Sequence, residues 1–260
     1  MNLHATSDAL VALPERDILG VQVTSVDWND AITLLCRLAQ ERTFTKIGFL
    51  NAHSANMAYV VPEFADALAD FVVLPDGFGV DIAGRLLHGA PFPANLNGTD
   101  FVPAVLQAMD PPQKVGLLGA ERANVEAAAN KLSRLAPHHS YVVIDDGFFS
   151  PDEETGVVER VATIRPDILL VAMGVPRQEL WIHRRVTEDH CTMAIGVGAL
   201  FDFLSGAVPR APYWMRRSRL EWLFRLVFEP GRLWRRYILG NPLFLMRVLR
   251  QKLRQPETAA

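Results

Sequence analysis

The apolar positions of this 260-residue chain fall into short runs that alternate with amphipathic stretches. Six runs are almost continuously apolar, as in strands buried on both faces of a sheet: 46–50, 71–74, 114–118, 141–144, 167–173 and 192–197. Helical periodicity marks seven stretches between them: 28–41, 62–70, 79–87, 100–109, 121–135, 151–164 and 176–187. This alternation predicts an α/β fold with a Rossmann-like, doubly wound, mostly parallel sheet.

The pattern also divides the chain into three parts. Residues 1–20 lack a clear period, and we expect a loose N-terminal segment there. Residues 21–209 carry the alternating elements and form the predicted α/β domain. The Pro-rich sequence at 209–212 interrupts the pattern, and residues 210–260 are predicted to form a basic, amphipathic helical appendage. Within the domain, Ser150 and Pro151 predict a helix that is capped at Ser150 and starts at Pro151.

Charge sharpens this division. The net charge of -3 combines twelve Lys or Arg and three Glu after residue 209 with fourteen basic and twenty-six acidic residues before it. Apolar stripes and three tryptophans accompany the basic residues, a pattern typical of helices that lie on anionic bilayers. The residues expected to face the membrane or a lipid-linked acceptor are Arg216, Arg217, Arg225, Arg232, Arg235 and Arg236. The alternatives are an ordinary amphipathic helix packed on the body and a nucleic-acid-binding surface.

Other features bear on the compartment. Cys36 and Cys191 lie in apolar stretches and are interpreted as reduced, buried thiols. The N-terminus lacks the pattern of a signal peptide, and no apolar run approaches the roughly 20 residues of a spanning helix. We therefore expect a cytoplasmic protein that contacts the inner face of the plasma membrane peripherally. The apolar face of the appendage also allows a homo-oligomer.

Candidate chemistry lies after the strands, where α/β sheets bind ligands. Asp76 follows the second predicted strand and is a candidate general base, although an Asp-Gly pair before a helix is also a common cap. Asn51 follows the first strand and suits a sugar or phosphate contact, or a turn that binds its own backbone. His53 has no partner at a triad spacing and is interpreted as structural.

The later strands are followed by further candidates. Gly119 and Gly198 allow a phosphate to approach the backbone, but neither completes a dinucleotide fingerprint, and tight turns explain them equally well. Gln178 and Glu179, just inside a helix start, suit a base or a sugar hydroxyl. Asp202 suits a ribose or uracil nitrogen, and Phe148 a flat ring; each of these residues is alternatively a cap or a core residue. No His or Cys cluster and no Asp-x-Asp pair indicates a metal site.

Taken in order, these segments resemble the WecG/TagA/CpsF family, glycosyltransferase family 26, over roughly residues 20 to 240. The resemblance rests on a series of motifs: Asn51-Ala52-His53, Leu74-Pro75-Asp76-Gly77-Phe78-Gly79, Asn97-Gly98-Thr99-Asp100, Gly147-Phe148-Phe149, Gly174-Val175-Pro176-Arg177-Gln178-Glu179, the stretch from Gly196 to Phe203, Arg210-Ala211-Pro212 and Glu221-Trp222.

The resemblance implies an inverting, metal-independent transferase without a cofactor. Such enzymes move a hexose or N-acetylhexosamine from a UDP-sugar to a polyprenyl-diphosphate-linked sugar. It assigns the base to Asp76, a pocket amide to Asn51, and substrate contacts to Gln178, Asp202, Phe148, Gly119, Gly198 and Arg210. Nucleic acid is not an expected partner.

Two positions depart from the family pattern. Phe49 stands where many members have Thr, and Asn95 stands where many have an Arg, so the diphosphate clamp differs here. The sequence from Asn95 to Asp100 resembles the exopolysaccharide branch, which includes the xanthan glucosyltransferase, and this favours UDP-glucose over UDP-N-acetylmannosamine. An NAD-linked Rossmann oxidoreductase or epimerase and a non-enzymatic nucleic-acid binder remain alternatives.

Overall fold

Six parallel strands form the central sheet of the computed structural model, which describes residues 13–212, 214–215 and 221–255. The strands are β3 (Thr45–Leu50), β4 (Phe71–Pro75), β5 (Lys114–Gly119), β6 (Ser140–Asp145), β7 (Ile168–Ala172) and β8 (Met193–Gly196). Their order is β4-β3-β8-β7-β5-β6. The chain lays down β3 and β4 on one side and β5 and β6 on the other, and β7 and β8 fill the centre between them. Because the strands are parallel, all six carboxyl ends lie at one edge of the sheet. The predicted doubly wound sheet and all six predicted strands are confirmed.

Nine helices follow the strands up to residue 212. They are α1 (Trp28–Gln40), α2 (Ala52–Val60), α3 (Pro62–Leu68), α4 (Phe78–His88), α5 (Gly98–Ala108), α6 (Arg122–Leu135), α7 (Glu154–Ile164), α8 (Arg177–Arg185) and α9 (Leu200–Ser205). One apolar core lies between the sheet and α1, α5, α6 and α9. A second lies on the opposite face, beneath α2, α3, α4, α7 and α8.

The seven predicted helices are present, but the structure adds two and moves the start of another. Helix α2 was missed because its small and apolar residues are spread around the helix, which leaves no polar stripe. Helix α9 was missed because it is only six residues long. Helix α7 begins at Glu154, so the predicted start at Pro151 was wrong. The Glu153 carboxylate accepts hydrogen bonds from the Ser150 amide and hydroxyl, which closes a turn at 151–153 instead.

The N-terminal part is more ordered than predicted. Strands β1 (Glu15–Ile18) and β2 (Val21–Thr24) form an antiparallel hairpin, so the predicted loose segment is wrong for residues 15–20. Residues 1–12 of that prediction lie outside the described residues. Ile18, Val21 and Val23 are buried in the second core, and their burial explains why this short hairpin is held in place.

The C-terminal segment contains α10 (Glu221–Phe228), α11 (Pro230–Trp234), a π-helical stretch (Arg235–Leu239) and α12 (Gly240–Arg254). Helix α12 packs against α2 and α4, and its Phe244 and Val248 are fully buried in the second core. Asn56 Nδ2 donates to the Gly240 carbonyl at 2.8 Å, and the Leu19 amide donates to Gln251 Oε1 at 2.9 Å. The functional boundary at residue 209 stays a prediction. Among the described helices, none has the length and apolar character to cross a membrane.

Candidate active site

Asn51 and Asp76 lie side by side because their strands, β3 and β4, are neighbours in register. The side-chain nitrogen of Asn51, Nδ2, donates a hydrogen bond to Asp76 Oδ2 at 3.4 Å. Asn51 is also the N-cap of α2, where its Oδ1 accepts from the His53 and Ser54 amides at 3.0 and 3.1 Å. Asn51 therefore bonds to its own local backbone, which was one of the two interpretations from the sequence. These bonds fix the side-chain amide that points at Asp76.

Asp76 does not cap the following helix. The N-cap of α4 is Gly77, and the Asp76 carboxylate makes no capping hydrogen bond to this helix. Burial raises the pKa of Asp76, while the hydrogen bond from Asn51 and the charges of Arg236 and Arg225 act in the opposite direction. A carboxylate of raised pKa is a stronger base, and this one carries no structural hydrogen bond to a helix end. The cap interpretation of Asp76 is therefore wrong.

A polar cavity of about 740 Å³ opens over the carboxyl ends of β3, β5, β7 and β8. Its lining combines acidic groups, arginines, aromatic rings and glycine turns, and it contains Asn51, Asp76, Gln178, Asp202, Phe148 and Gly198. Six of the residues predicted from separate strand ends therefore converge on one cavity. Its volume falls within the range of about 300–1,000 Å³ that is usual for small-ligand sites.

Gln178 connects two loops of this cavity. Its Oε1 accepts from the Gly174 amide at 3.2 Å and from the Gly198 amide at 3.0 Å, which ties the end of β7 to the end of β8. An ideal Cβ at Gly196 would lie 2.9 Å from Gln178 Nε2, so the glycine provides room for this side chain. Gln178 therefore shapes the cavity, and the Gly198 amide is bonded to protein.

Asp202 and Phe148 lie on the wall formed by α9 and the β6 loop. Asp202 Oδ1 accepts from Asn124 Nδ2 at 3.0 Å. Phe148 is 72% exposed, which rules out the core alternative for this ring. Arg177 holds its loop by donating to the carbonyls of Gly147 and Phe149 at 2.8 and 3.3 Å. An exposed ring on an anchored loop suits stacking against a planar group.

A second cavity, of about 650 Å³, lies between α4 and the C-terminal segment. Its walls are largely apolar and include Phe78, Trp222, Leu226, Tyr237, Phe244 and Leu245. It shares Asn51, His53, Asp76, Thr99, Phe203, Arg225 and Arg236 with the polar cavity, so the two meet at Asp76. The sequence did not indicate this cavity, because its walls come from segments more than 100 residues apart.

Two arginines of the C-terminal segment reach this junction. Arg225 stacks over the Phe203 ring, 5.3 Å from its centroid, and Arg236 lies 3.5 Å from Asn51 Oδ1. Arg236 belongs to the π-helical stretch, a rare form that is often found at functional sites. Since both guanidinium groups lower the pKa of Asp76, both act electrostatically on the candidate base.

The remaining predicted residues lie elsewhere. Arg210 is paired with Asp100 at 2.8 Å and Glu221 at 3.3 Å, where it joins the body to α10. Asn95 Oδ1 accepts from the Gly77 amide at 2.7 Å and lines the apolar cavity. Gly119 makes a tight turn with a φ of +123°. Arg235 is exposed beside Trp234. Arg216 and Arg217 lie outside the described residues, and for Arg232 only the backbone is described.

Two cavity residues with strongly shifted pKa values, His53 and Glu179, were considered from the sequence but not chosen as site residues. His53 lines both cavities, and burial together with Arg236 lowers its pKa to about 4, so its ring is neutral at neutral pH. Glu179 lines the polar cavity although it is buried, and burial raises its pKa to about 7. The sequence signal for both was adjacency, since each lies within two residues of a selected position.

Comparison with known proteins identifies the family. A model described as "Glycosyl transferase WecG/TagA/CpsF family" matches residues 16–258. An N-acetylglucosaminyldiphosphoundecaprenol N-acetyl-beta-D-mannosaminyltransferase of Bacillus spizizenii is 34% identical over 185 residues, 71% of this chain and 70% of that protein. Proteins of the same name from Bacillus subtilis and Staphylococcus aureus are 32% identical (79% of both chains) and 30% identical (91% and 92%). The resemblance predicted from the motifs is confirmed: the chain belongs to the WecG/TagA/CpsF family and is a glycosyltransferase.

Proposed function

We propose that this enzyme moves a hexose from a UDP-sugar to a polyprenyl-diphosphate-linked sugar, with inversion and without a metal ion, during exopolysaccharide synthesis. The observation that carries the proposal is the meeting of two unlike cavities at Asp76. A polar cavity over strand ends suits a nucleotide sugar, and an apolar cavity suits a lipid-linked acceptor. The names of the relatives describe transfer to an undecaprenol-linked diphospho-sugar.

Asp76 is the base in this mechanism. Its carboxylate takes the proton of the acceptor hydroxyl, and the oxygen attacks the anomeric carbon on the face opposite the UDP. The anomeric carbon–oxygen bond to the diphosphate then breaks, and UDP leaves with the electron pair. The amide of Asn51, 3.4 Å from Asp76, holds the carboxylate in line with the acceptor.

Arg225 and Arg236 are placed to neutralise the diphosphate as it leaves. Both line the polar cavity beside Asp76, and guanidinium groups form paired hydrogen bonds with phosphate oxygens. Fixed cations at this point stabilise the charge that develops on the leaving group. This supports a mechanism in which the C-terminal segment supplies the positive charge that a metal ion would otherwise supply.

For the donor we propose UDP-glucose in preference to UDP-N-acetylmannosamine. The ring of Phe49 lines the polar cavity and approaches within 3.1 Å of an ideal Cβ at Gly98. An aromatic ring at this wall reduces the space for an acetamido group. The relatives are named for N-acetylmannosaminyl transfer, so the choice of donor sugar has to be tested by experiment.

We propose that the side of the protein that receives the acceptor rests on an anionic membrane surface. Leu243, Met246, Leu249 and Leu253 of α12 are exposed along one side of the helix, with Arg250 and Lys252 beside them. Each basic residue near an anionic bilayer contributes about 1 kcal/mol, so the combination supports reversible binding.

The test is a panel of UDP-glucose, UDP-N-acetylglucosamine and UDP-N-acetylmannosamine with synthetic polyprenyl-diphosphate sugars in anionic vesicles. We expect turnover with UDP-glucose that is insensitive to EDTA. Asp76→Asn should lower turnover by about 10²–10⁴-fold and leave donor affinity nearly unchanged, because general-base catalysis contributes that much. Full activity of Asp76→Asn would refute the base, and turnover only with an N-acetylated donor would refute the choice of sugar.

A further inference from the structure

Glu179 lies in the wall of the polar cavity, in the first turn of α8, and is only 2% exposed. Acidic side chains are rarely buried to this degree unless both carboxyl oxygens are bonded. The mechanism proposed above makes no use of this residue.

The two carboxyl oxygens of Glu179 differ. Oε1 accepts a hydrogen bond from Gln178 Nε2 at 2.8 Å. Oε2 is buried and has no hydrogen-bond partner among the described residues. A buried polar atom that is left without a partner destabilises the fold, so its retention calls for a functional reason.

The usual structural role of a glutamate at this position is not available. In the third position of a helix, Glu commonly accepts a hydrogen bond from the backbone amide of the N-cap residue. The N-cap of α8 is Pro176, which has no amide hydrogen to donate. The free oxygen is therefore not accounted for by a capping box.

We propose that Glu179 is a donor-binding residue whose free carboxyl oxygen accepts a hydrogen bond from a hydroxyl or N–H group of the nucleotide sugar. This inference rests on the proposed function. A nucleotide sugar carries many such groups, whereas its phosphates require cations. The arginines beside Asp76 supply cations at one end of the cavity, and Glu179 supplies an acceptor near the ends of β7 and β8.

The pKa of Glu179 agrees with this placement. Burial raises it to about 7, against the opposing effects of the hydrogen bond from Gln178 and of the backbone amide of Glu179 itself. The carboxyl group is thus partly protonated in the empty site at neutral pH. A ligand hydroxyl or N–H that donates to Oε2 favours the ionised form and supplies the missing partner.

The experiment is a calorimetric titration of the full-length protein with UDP-glucose and, separately, with UDP. Glu179→Gln keeps the size of the side chain but cannot present two acceptor oxygens. We expect the dissociation constant for UDP-glucose to rise about tenfold or more, since hydrogen bonds to charged groups are the stronger ones. Glu159→Gln, an exposed position on α7, is the matched control and should bind as the wild type does.

Steady-state kinetics separate binding from a merely structural role. Glu179→Gln should raise the donor KM and leave kcat at saturating donor within about twofold of the wild type. Glu179→Asp withdraws the carboxyl by one methylene and should also raise the KM. If wild-type protein binds no UDP-sugar, the proposed function fails and the inference with it. Normal donor affinity in a Glu179→Gln variant, with or without a lowered melting temperature, would overturn the inference alone.

Discussion

Replacing Phe244 by Ala should release helix α12 from the body and separate acceptor turnover from donor binding. Phe244 is 0% exposed, lines the apolar cavity and packs beside Gly79 at the start of α4. Truncation at Pro209 is a less specific test, because it would uncover the second core where Phe244 and Val248 are buried. A single substitution keeps the rest of the segment in the chain and tests the anchoring of α12 alone.

The size of the effect follows from burial. A Phe-to-Ala change at a fully buried site costs about 3–5 kcal/mol, through lost transfer energy and the cavity that remains. Among the described side chains of residues 221–255, the buried apolar ones are Leu233, Phe244 and Val248. With so few buried anchors, this cost shifts the equilibrium between the docked and the undocked segment by roughly a hundredfold to a few thousandfold. The sheet, which has its own cores, should remain folded.

Hydrogen exchange of the amides in α12 measures this undocking, and the UDP-glucose titration monitors the donor cavity. We expect faster exchange in residues 240–254 and a loss of turnover on the lipid-linked acceptor. The donor dissociation constant should rise to a smaller extent, because Arg225 and Arg236 of this segment form one wall of the polar cavity while the residues at the strand ends stay in place. Phe244→Leu keeps most of the volume and should cost less than about 1.5 kcal/mol. Wild-type exchange and turnover in Phe244→Ala would refute the docking argument, and loss of the whole fold would refute the independence of the sheet.

Two further predictions concern the base and a turn. Arg236→Gln removes a charge that lowers the pKa of Asp76, so the pKa should rise and activity should be lost at a higher pH on acidification. Arg235→Gln, which removes an exposed charge, should leave this limb of the pH–kcat/KM profile in place. Gly119→Ala places a Cβ 2.4 Å from a carbonyl oxygen of β7 at a φ of +123° and should destabilise the fold by about 2 kcal/mol or more. Gly231→Ala, which meets no atom within 4 Å, should leave the melting temperature nearly unchanged.

The sheet could be predicted because its strands are buried on both faces. Continuous apolar runs such as 167–173 are typical of buried parallel strands when they alternate with segments of helical period. The hairpin at β1 and β2 could not be predicted in the same way. Its stability depends on packing against α4 and β4, which are distant in sequence, and four-residue strands carry little periodicity of their own.

The site was predictable as a set more readily than residue by residue. Parallel strands carry whatever follows them to one edge, and so Asn51, Asp76 and Gln178 had to lie near each other. Sequence could not decide what each does there. Asn51 caps a helix and Asp76 does not. The reason is that α2 begins one residue after Asn51, whereas α4 begins two residues after Asp76.

The C-terminal arginines show why charge composition alone is a coarse guide. The sequence placed Arg235 and Arg236 on one basic face, yet the two differ completely in the structure: Arg235 is exposed, and Arg236 enters both cavities. Consecutive side chains of a helix point about 100° apart, so two neighbouring arginines in the π-helical stretch can face solvent and cavity respectively. The pKa of Asp76 is therefore raised by burial and lowered by two arginines of the C-terminal segment, Arg236 and Arg225. Because the same segment forms a wall of the apolar cavity, we expect any displacement of this segment to change the ionisation of Asp76 and the proposed acceptor site together.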